Sequence, residues 1–163
     1  MVRQNRGRSP LTIGIQQQKG WRANGTERLL AYLRSQQLGV LGTLSPSGEP
    51  QAALVGYAVR PDFELIFDTL RTTRKYRNMM TAPLVSFTVG NTAGYGDERT
   101  VQYEGVAEEL AGEPLERLRP VYFATWPDGV ERVQWPHITW FVVRPRWIRY
   151  SDFNIPMTQE WSF

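Results

Sequence analysis

The residues best placed to do chemistry run from Phe67 to Met79, Phe67-Asp68-Thr69-Leu70-Arg71-Thr72-Thr73-Arg74-Lys75-Tyr76-Arg77-Asn78-Met79. An apolar strand ends here and a helix begins, and hydroxyls and cations crowd the junction. The free N–H groups and dipole of a helix N-terminus favour an anion, hydroxyls donate to it, and an arginine offers a two-pronged fork. The chemistry this suits is the holding of a phosphate. Lysine occurs only at positions 19 and 75, against seventeen arginines, so Lys75 beside Arg74 stands out from the general basic character. The competing reading is a solvated basic helix start.

The elements that must position this segment follow from pattern. Thr26 is a plausible N-cap for a helix carrying Leu29, Leu30, Leu33 and Leu38, stopped by Gly39. Strands are predicted at 40–44 and 51–59, joined across Ser45-Pro46-Ser47-Gly48, then at 64–69, 84–89 and 100–110. A short helix spans about 73–81, and a second about 114–124, with Pro120 expected to bend or interrupt it. Residues 125–136 read as irregular. The last strands, 138–143 and 147–150, are separated by Arg144-Pro145-Arg146. Short strands joined mostly by tight turns predict a mainly β protein, a barrel with accessory helices rather than a doubly wound α/β sheet. The expected organisation is a basic arm over 1–24, one barrel domain over 25–152 and a polar tail over 153–163.

Composition narrows the function. The 163 residues are 41% hydrophobic and 21% charged, which supports a folded core in one domain. The absence of cysteine excludes thiolate metal sites and cysteine nucleophiles, and fits a cytoplasmic protein. No apolar run reaches the roughly 20 residues of a membrane span. The net charge is +3 and the arginines are spread along the chain, which argues against a nucleic-acid partner. His137 is the single histidine; it suits a hydrogen-bonded structural role better than proton transfer or haem ligation. Trp126, Trp135, Trp140 and Trp147 fit a core or interface, or the wall of a flat cofactor. Glu104, Glu108 and Glu109 read as a solvated face. Gly94-Tyr95-Gly96 lacks the strand–turn–helix setting of a dinucleotide fingerprint.

Taken in order, Gly39–Leu44, Ser47-Gly48-Glu49-Pro50, Leu65–Thr69, Thr73-Arg74-Lys75, Asn78-Met79, Val101–Gly105 and Pro145–Tyr150 resemble the pyridoxamine 5′-phosphate oxidase-like, FMN-binding split-barrel family over about residues 26–152. The resemblance implies a homodimer with FMN in the cleft between subunits and a flavin-dependent oxidoreductase acting on a small molecule. Arg74 and Lys75 would then neutralise the flavin phosphate, with Thr73 and Arg71 assisting. Asp68 and Thr69 would border the ribityl chain or ring. Leu54, Val55, Gly56 and Tyr57 would run beside the isoalloxazine, Gly56 permitting close approach. Gln102 would supply a polar contact, with Thr100 as the competing position. The true oxidase carries an Arg/His substrate motif after its final Trp strand. Here Ser151-Asp152-Phe153 leads into a tail with neither residue, so oxidation of pyridoxamine phosphate is not expected. The same pocket leaves open the deazaflavin F420 as cofactor, or a non-catalytic flavin or haem carrier.

Overall fold

The computed structural model describes residues 15–90, 96–155 and 157–163, with side chains from Gly25 onward. Its elements are α1 (Ile15–Ser35), β1 (Leu38–Leu44), β2 (Pro50–Gly56), β3 (Ala58–Val59), β4 (Leu65–Leu70), α2 (Arg74–Thr81), β5 (Leu84–Gly90), β6 (Arg99–Leu110), α3 (Gly112–Thr125), α4 (Gly129–Arg132), β7 (Ile138–Asp152) and β8 (Met157–Ser162). The strands form one antiparallel sheet in the order β2-β1-β5-β6-β7-β4-β3, with β8 added to β7. The protein is mainly β, a curled split barrel, as its strand pattern predicts.

The curl follows from one short stretch. β2 and β3 stand at opposite edges of the sheet, yet only Tyr57 separates them in the chain. Residues 51–59 therefore form two strands rather than the single one expected. Tyr57 turns the chain from one edge to the other by driving its ring into the core, where it is 1% exposed and its hydroxyl donates to the Leu33 carbonyl at 2.8 Å. Inside the curl, Leu29, Tyr32 and Leu33 of α1 pack with Phe67, Phe87, Tyr103 and Phe141. The 29, 32, 33 spacing lays these three on one helical face. Outside it, α3 covers Ile66, Leu110, Trp140 and Val142 through Leu118 and Tyr122.

Five further local expectations change. α1 begins at Ile15, so Thr26 lies inside the helix and the polar segment before it is helical from that point. α3 runs through Pro120 without a break, and a short α4 interrupts the irregular segment after it. Residues 138–152 make one strand. The β6–β7 register shifts between Glu104 and Gly105: Arg146 is the extra residue of the bulge, and Pro145, which cannot donate to the ladder, lies next to it opposite Gly105. A Cβ on Gly105 would lie 2.5 Å from the Arg144 carbonyl, which fixes glycine at this kink. Finally, the tail returns as β8, whose Met157 and Trp161 alternate toward the core. The Gly94-Tyr95 pair and the arginines of the first fourteen residues lie outside the described residues. Among those described, no helix is long and apolar enough to cross a membrane.

Candidate functional site

α2 starts where β4 ends, and Thr73 is its N-cap. The Thr73 Oγ1 accepts from the Tyr76 N–H at 3.3 Å, donates to the Leu70 carbonyl at 2.8 Å and lies 3.2 Å from the Thr69 Oγ1. Thr69 is 7% exposed. The two hydroxyls thus close the strand-to-helix turn. Asp68 and Thr69 are neighbours on a strand and point to opposite faces. Thr69 turns toward Thr73, while Asp68 turns outward to Arg132, whose Nε donates to Oδ2 at 2.8 Å.

The four expected phosphate-binding residues divide into two pairs. Arg71 is engaged: its Nε and Nη2 reach Glu109 Oε1 at 2.9 and 2.8 Å. The same carboxylate accepts from Thr139 Oγ1 at 2.6 Å and from the Tyr76 hydroxyl at 3.2 Å. Burial alone would raise the Glu109 pKa, but these donors outweigh it and hold the carboxyl below its ordinary value. Glu109 is therefore a structural anchor, whereas its sequence position suggested a solvated face. Thr73 is occupied in capping.

Arg74 and Lys75 form the second pair. Among the described residues neither has a carboxylate within ion-pair distance. They diverge. Arg74 turns toward the β1–β2 hairpin, where its Nε lies 2.7 Å from the Gln51 side-chain amide. Asn78, 3% exposed, ties α2 to the same hairpin by donating from Nδ2 to Thr43 Oγ1 at 3.0 Å. Lys75 is half-buried on the β4 side. Its pKa is lowered by burial, against the opposing pull of the Asp68 charge. One cation thus faces β2 and the other lies near Asp68 of β4.

β2 is an edge strand, so its free side has no strand partner among the described residues. Val55 and Tyr57 are buried, and Leu54 is 61% exposed. Gly56 has a ring against it already. A Cβ there would lie 2.7 Å from Trp126 Cζ2, and the Trp126 Nε1 donates to the Tyr57 carbonyl at 3.0 Å. Gln102 lies on β6, paired with Thr88 of β5, and β6 stands three strands from β2, so the sheet does not place it beside Arg74 and Lys75. His137 is exposed, with φ of 66°, and its carbonyl accepts the Arg71 N–H at 2.9 Å. Trp135 is exposed, while Trp140 is buried under α3. No acidic or histidine cluster fit for a metal occurs among the described residues.

The outward face of β1, β2 and β5 is apolar. Leu38, Val40, Leu44, Leu54 and Leu84 are all more than 40% exposed and lie on one sheet face by register. A cleft of about 330 Å³ opens on it beside Gln51, with Leu44, Leu84, Glu104 and Arg146 at its rim.

The family model described as pyridoxamine 5′-phosphate oxidase matches residues 26–152, from the middle of α1 to the end of β7. The chain belongs to the pyridoxamine 5′-phosphate oxidase family. Among curated proteins none matches it. Similar solved structures include a heme binding protein from Mycobacterium smegmatis, with TM-score 0.74 and 19% identity over 84% of this chain. This chain spans 57% of that protein's length. General Stress Protein 26 from Bacillus anthracis has TM-score 0.64 and 21% identity, covering 85% of this chain and 99% of its own. The heme storage protein of Vibrio cholerae has TM-score 0.59 and 13% identity, covering 83% and 92%. At these identities the likeness is one of fold. Family membership fixes the split barrel and leaves the activity to the residues of the site.

The polar bridge of Thr43, Gln51 and Asn78, the Arg132–Asp68 pair and the seat of Trp126 escaped the sequence reading. Asp68 and Arg132 lie 64 positions apart, and no local periodicity joins them. Asn78 had a signal: an amide on the apolar side of a short helix, next to Met79.

Proposed function

We propose that this chain binds FMN between two copies of itself and works as a flavin-dependent oxidoreductase on a small molecule. The observation that carries the reading is the pair Arg74 and Lys75, free of ion-pair partners among the described residues, one beside Gln51 of β2 and the other near Asp68 of β4. A half-buried ammonium without a close carboxylate is a site an anion stabilises, and a phosphate monoester has the charge and acceptors to do so. The residues present therefore fit the phosphorylated end of a flavin. Bound there, FMN would supply hydride and electron transfer.

The other residues have supporting roles in this reading. Thr73 and Thr69 hold the turn that aims α2's first N–H groups. Arg71, neutralised by Glu109, anchors the turn and leaves the phosphate to Arg74 and Lys75. The free edge of β2 offers backbone groups to the ring's polar rim. Gln102 would reach a ring only from the second copy. The apolar face supports pairing, since monomers rarely expose contiguous apolar patches beyond roughly a few hundred Å².

The test is spectroscopic. Purified protein is scanned for flavin absorbance, then titrated with FMN, F420 and riboflavin. The expectation is tight FMN binding, weaker F420 and riboflavin binding, and loss of FMN affinity in Arg74→Glu/Lys75→Glu. Equal FMN binding by that variant rejects the phosphate assignment, and tighter F420 binding replaces the cofactor. Anaerobic reduction with NAD(P)H followed by multiple turnover on quinone or imine acceptors separates enzyme from carrier.

A second reading, a non-catalytic haem carrier, is favoured by one observation: the exposed His137 imidazole begins the strand whose neighbour leads into the cation pair. Similar folds occur in the heme binding and heme storage proteins described above. A haem titration of wild type and His137→Ala, read by the visible spectrum, decides it. An unchanged spectrum removes His137 as a ligand.

A further inference from the structure

Arg74 meets the β1–β2 hairpin through a chain of side-chain amides. Thr43 and Gln51 are register partners across β1 and β2, so their side chains stand beside one another. Arg74 and Asn78 stand four positions apart on one face of α2. Asn78 Nδ2 lies 3.0 Å from Thr43 Oγ1 and 2.7 Å from Gln51 Oε1. Thr43 and Asn78 are 5% and 3% exposed, so these groups find their partners within the chain. With Asn78 donating to the Gln51 carbonyl, the Gln51 amino group meets the guanidinium, whose Nε is 2.7 Å away, donor against donor. An amide has one carbonyl and one amino group, so Gln51 cannot accept from Asn78 and from Arg74 on opposite sides at once. Turning Gln51 over gives Arg74 a carbonyl and sends the amino group to Asn78. Asn78 must then turn as well, so that its Oδ1 accepts from Gln51 and from the Thr43 hydroxyl. The two amides thus have two matched arrangements. In one, Gln51 holds Arg74. In the other, Gln51 holds Asn78 and turns only a donor toward the guanidinium.

We propose that Gln51 and Asn78 form a two-position latch on Arg74, set by whether an anion occupies that cation. With none bound, the Gln51 carbonyl holds the guanidinium on the hairpin. A phosphate oxygen is a stronger acceptor for a guanidinium than a neutral amide is. A bound phosphate therefore draws Arg74 away, and both amides turn together to the arrangement in which Asn78 donates to Gln51. Gln51 then no longer competes for the cation. The latch rests on the phosphate reading of Arg74 above. It makes Gln51 and Asn78 positioning residues, and it carries the state of an exposed cation to a buried side chain that never meets the ligand.

The experiment follows the side-chain N–H signals of Asn78, Gln51 and Arg74 by heteronuclear NMR as wild type is titrated with inorganic phosphate and with FMN. Riboflavin, which lacks the phosphate, is the control. The Asn78 amide should shift with the same midpoint as Arg74 Nε for both anions and stay still with riboflavin. Arg74→Ala, with no guanidinium to hold, should show the anion-bound Asn78 signals before any anion is added and should not respond further. Gln51→Glu, which has no amino group to present in either position, should retain Arg74 and weaken FMN by about tenfold or more without affecting riboflavin, whereas Gln51→Met should stay within about threefold of wild type. Circular dichroism and melting temperature check each variant, and the wild-type titration decides by itself where a variant does not fold. An Asn78 amide unmoved at saturating FMN, with FMN affinity still dependent on Arg74, would overturn the latch and leave the cofactor reading intact. So would equal weakening by Gln51→Met and Gln51→Glu. Wild-type protein that binds neither phosphate nor FMN would overturn both.

Discussion

Arg132 clamps Asp68 across the outer face of the sheet, Nε to Oδ2 at 2.8 Å, with the two side chains 15% and 16% exposed. The pair joins α4 to β4 beside Lys75. Removing the cation leaves a largely buried carboxylate without its partner, which costs more than the pair itself contributes. Arg132→Ala should lower stability by about 2–4 kcal/mol, read as a shift in the urea midpoint at constant slope. A change under about 0.5 kcal/mol would show that Asp68 is adequately solvated without it.

Acid should weaken the fold in part through Glu109. Its folded pKa lies below the ordinary 4.5 because Thr139, Arg71 and Tyr76 donate to it, in spite of burial. In that window the unfolded chain binds more protons than the folded one, so stability rises with pH there. The contribution is fully present above the unfolded value and is lost as pH falls through the folded one. Glu109→Gln should cost about 1 kcal/mol near neutrality and flatten the stability profile below pH 4.5. Parallel profiles for both proteins would contradict it.

Alkali should act at Lys75. Burial lowers its pKa from 10.5, so the free protein loses this charge earlier than an exposed lysine would. An anion binds the protonated form, so FMN affinity should decline as pH rises toward 10. Arginine keeps its charge throughout that range. Lys75→Arg should therefore remove the alkaline decline, as measured by FMN titration at several pH values.

Gly56 should tolerate no side chain. A methyl group there meets Trp126 Cζ2 at 2.7 Å. Gly56→Ala should displace the indole and cost about 1–3 kcal/mol. Near-UV circular dichroism should register the change in tryptophan packing, and an unaltered spectrum with unaltered stability would refute the contact.

Pairing is tested at Leu54, which is 61% exposed on the apolar face of the sheet. Leu54→Glu should keep the melting temperature of the separated subunit while halving the mass seen by light scattering. A monomeric wild type would eliminate the paired assembly from the proposal.

The fold was legible wherever a local signal sufficed. The hydroxyls and cations after Thr69 announced a helix start near Thr73, and the Ser45–Gly48 turn announced the β1–β2 hairpin. β7 and β8 were misread because Pro145 looks like a break until a bulge accommodates it, and because the Met157–Gln159–Trp161 alternation sits in a polar tail. The end of the second predicted strand at Tyr57 had no local mark. It depends on where the opposite edge of the sheet arrives.

By itself the sequence determined that a cationic, hydroxyl-rich turn joins a strand to a helix, and that the whole is a mainly β barrel of this family. The tertiary structure decided which of those groups remain available. Glu109, 38 positions from Arg71, claims one cation, and Arg132 claims Asp68, while Arg74 and Lys75 are left without an ion-pair partner among the described residues. Charges pair with whatever the fold brings within a few ångströms. That proximity is set by strand order and register, which no spacing within a single segment records.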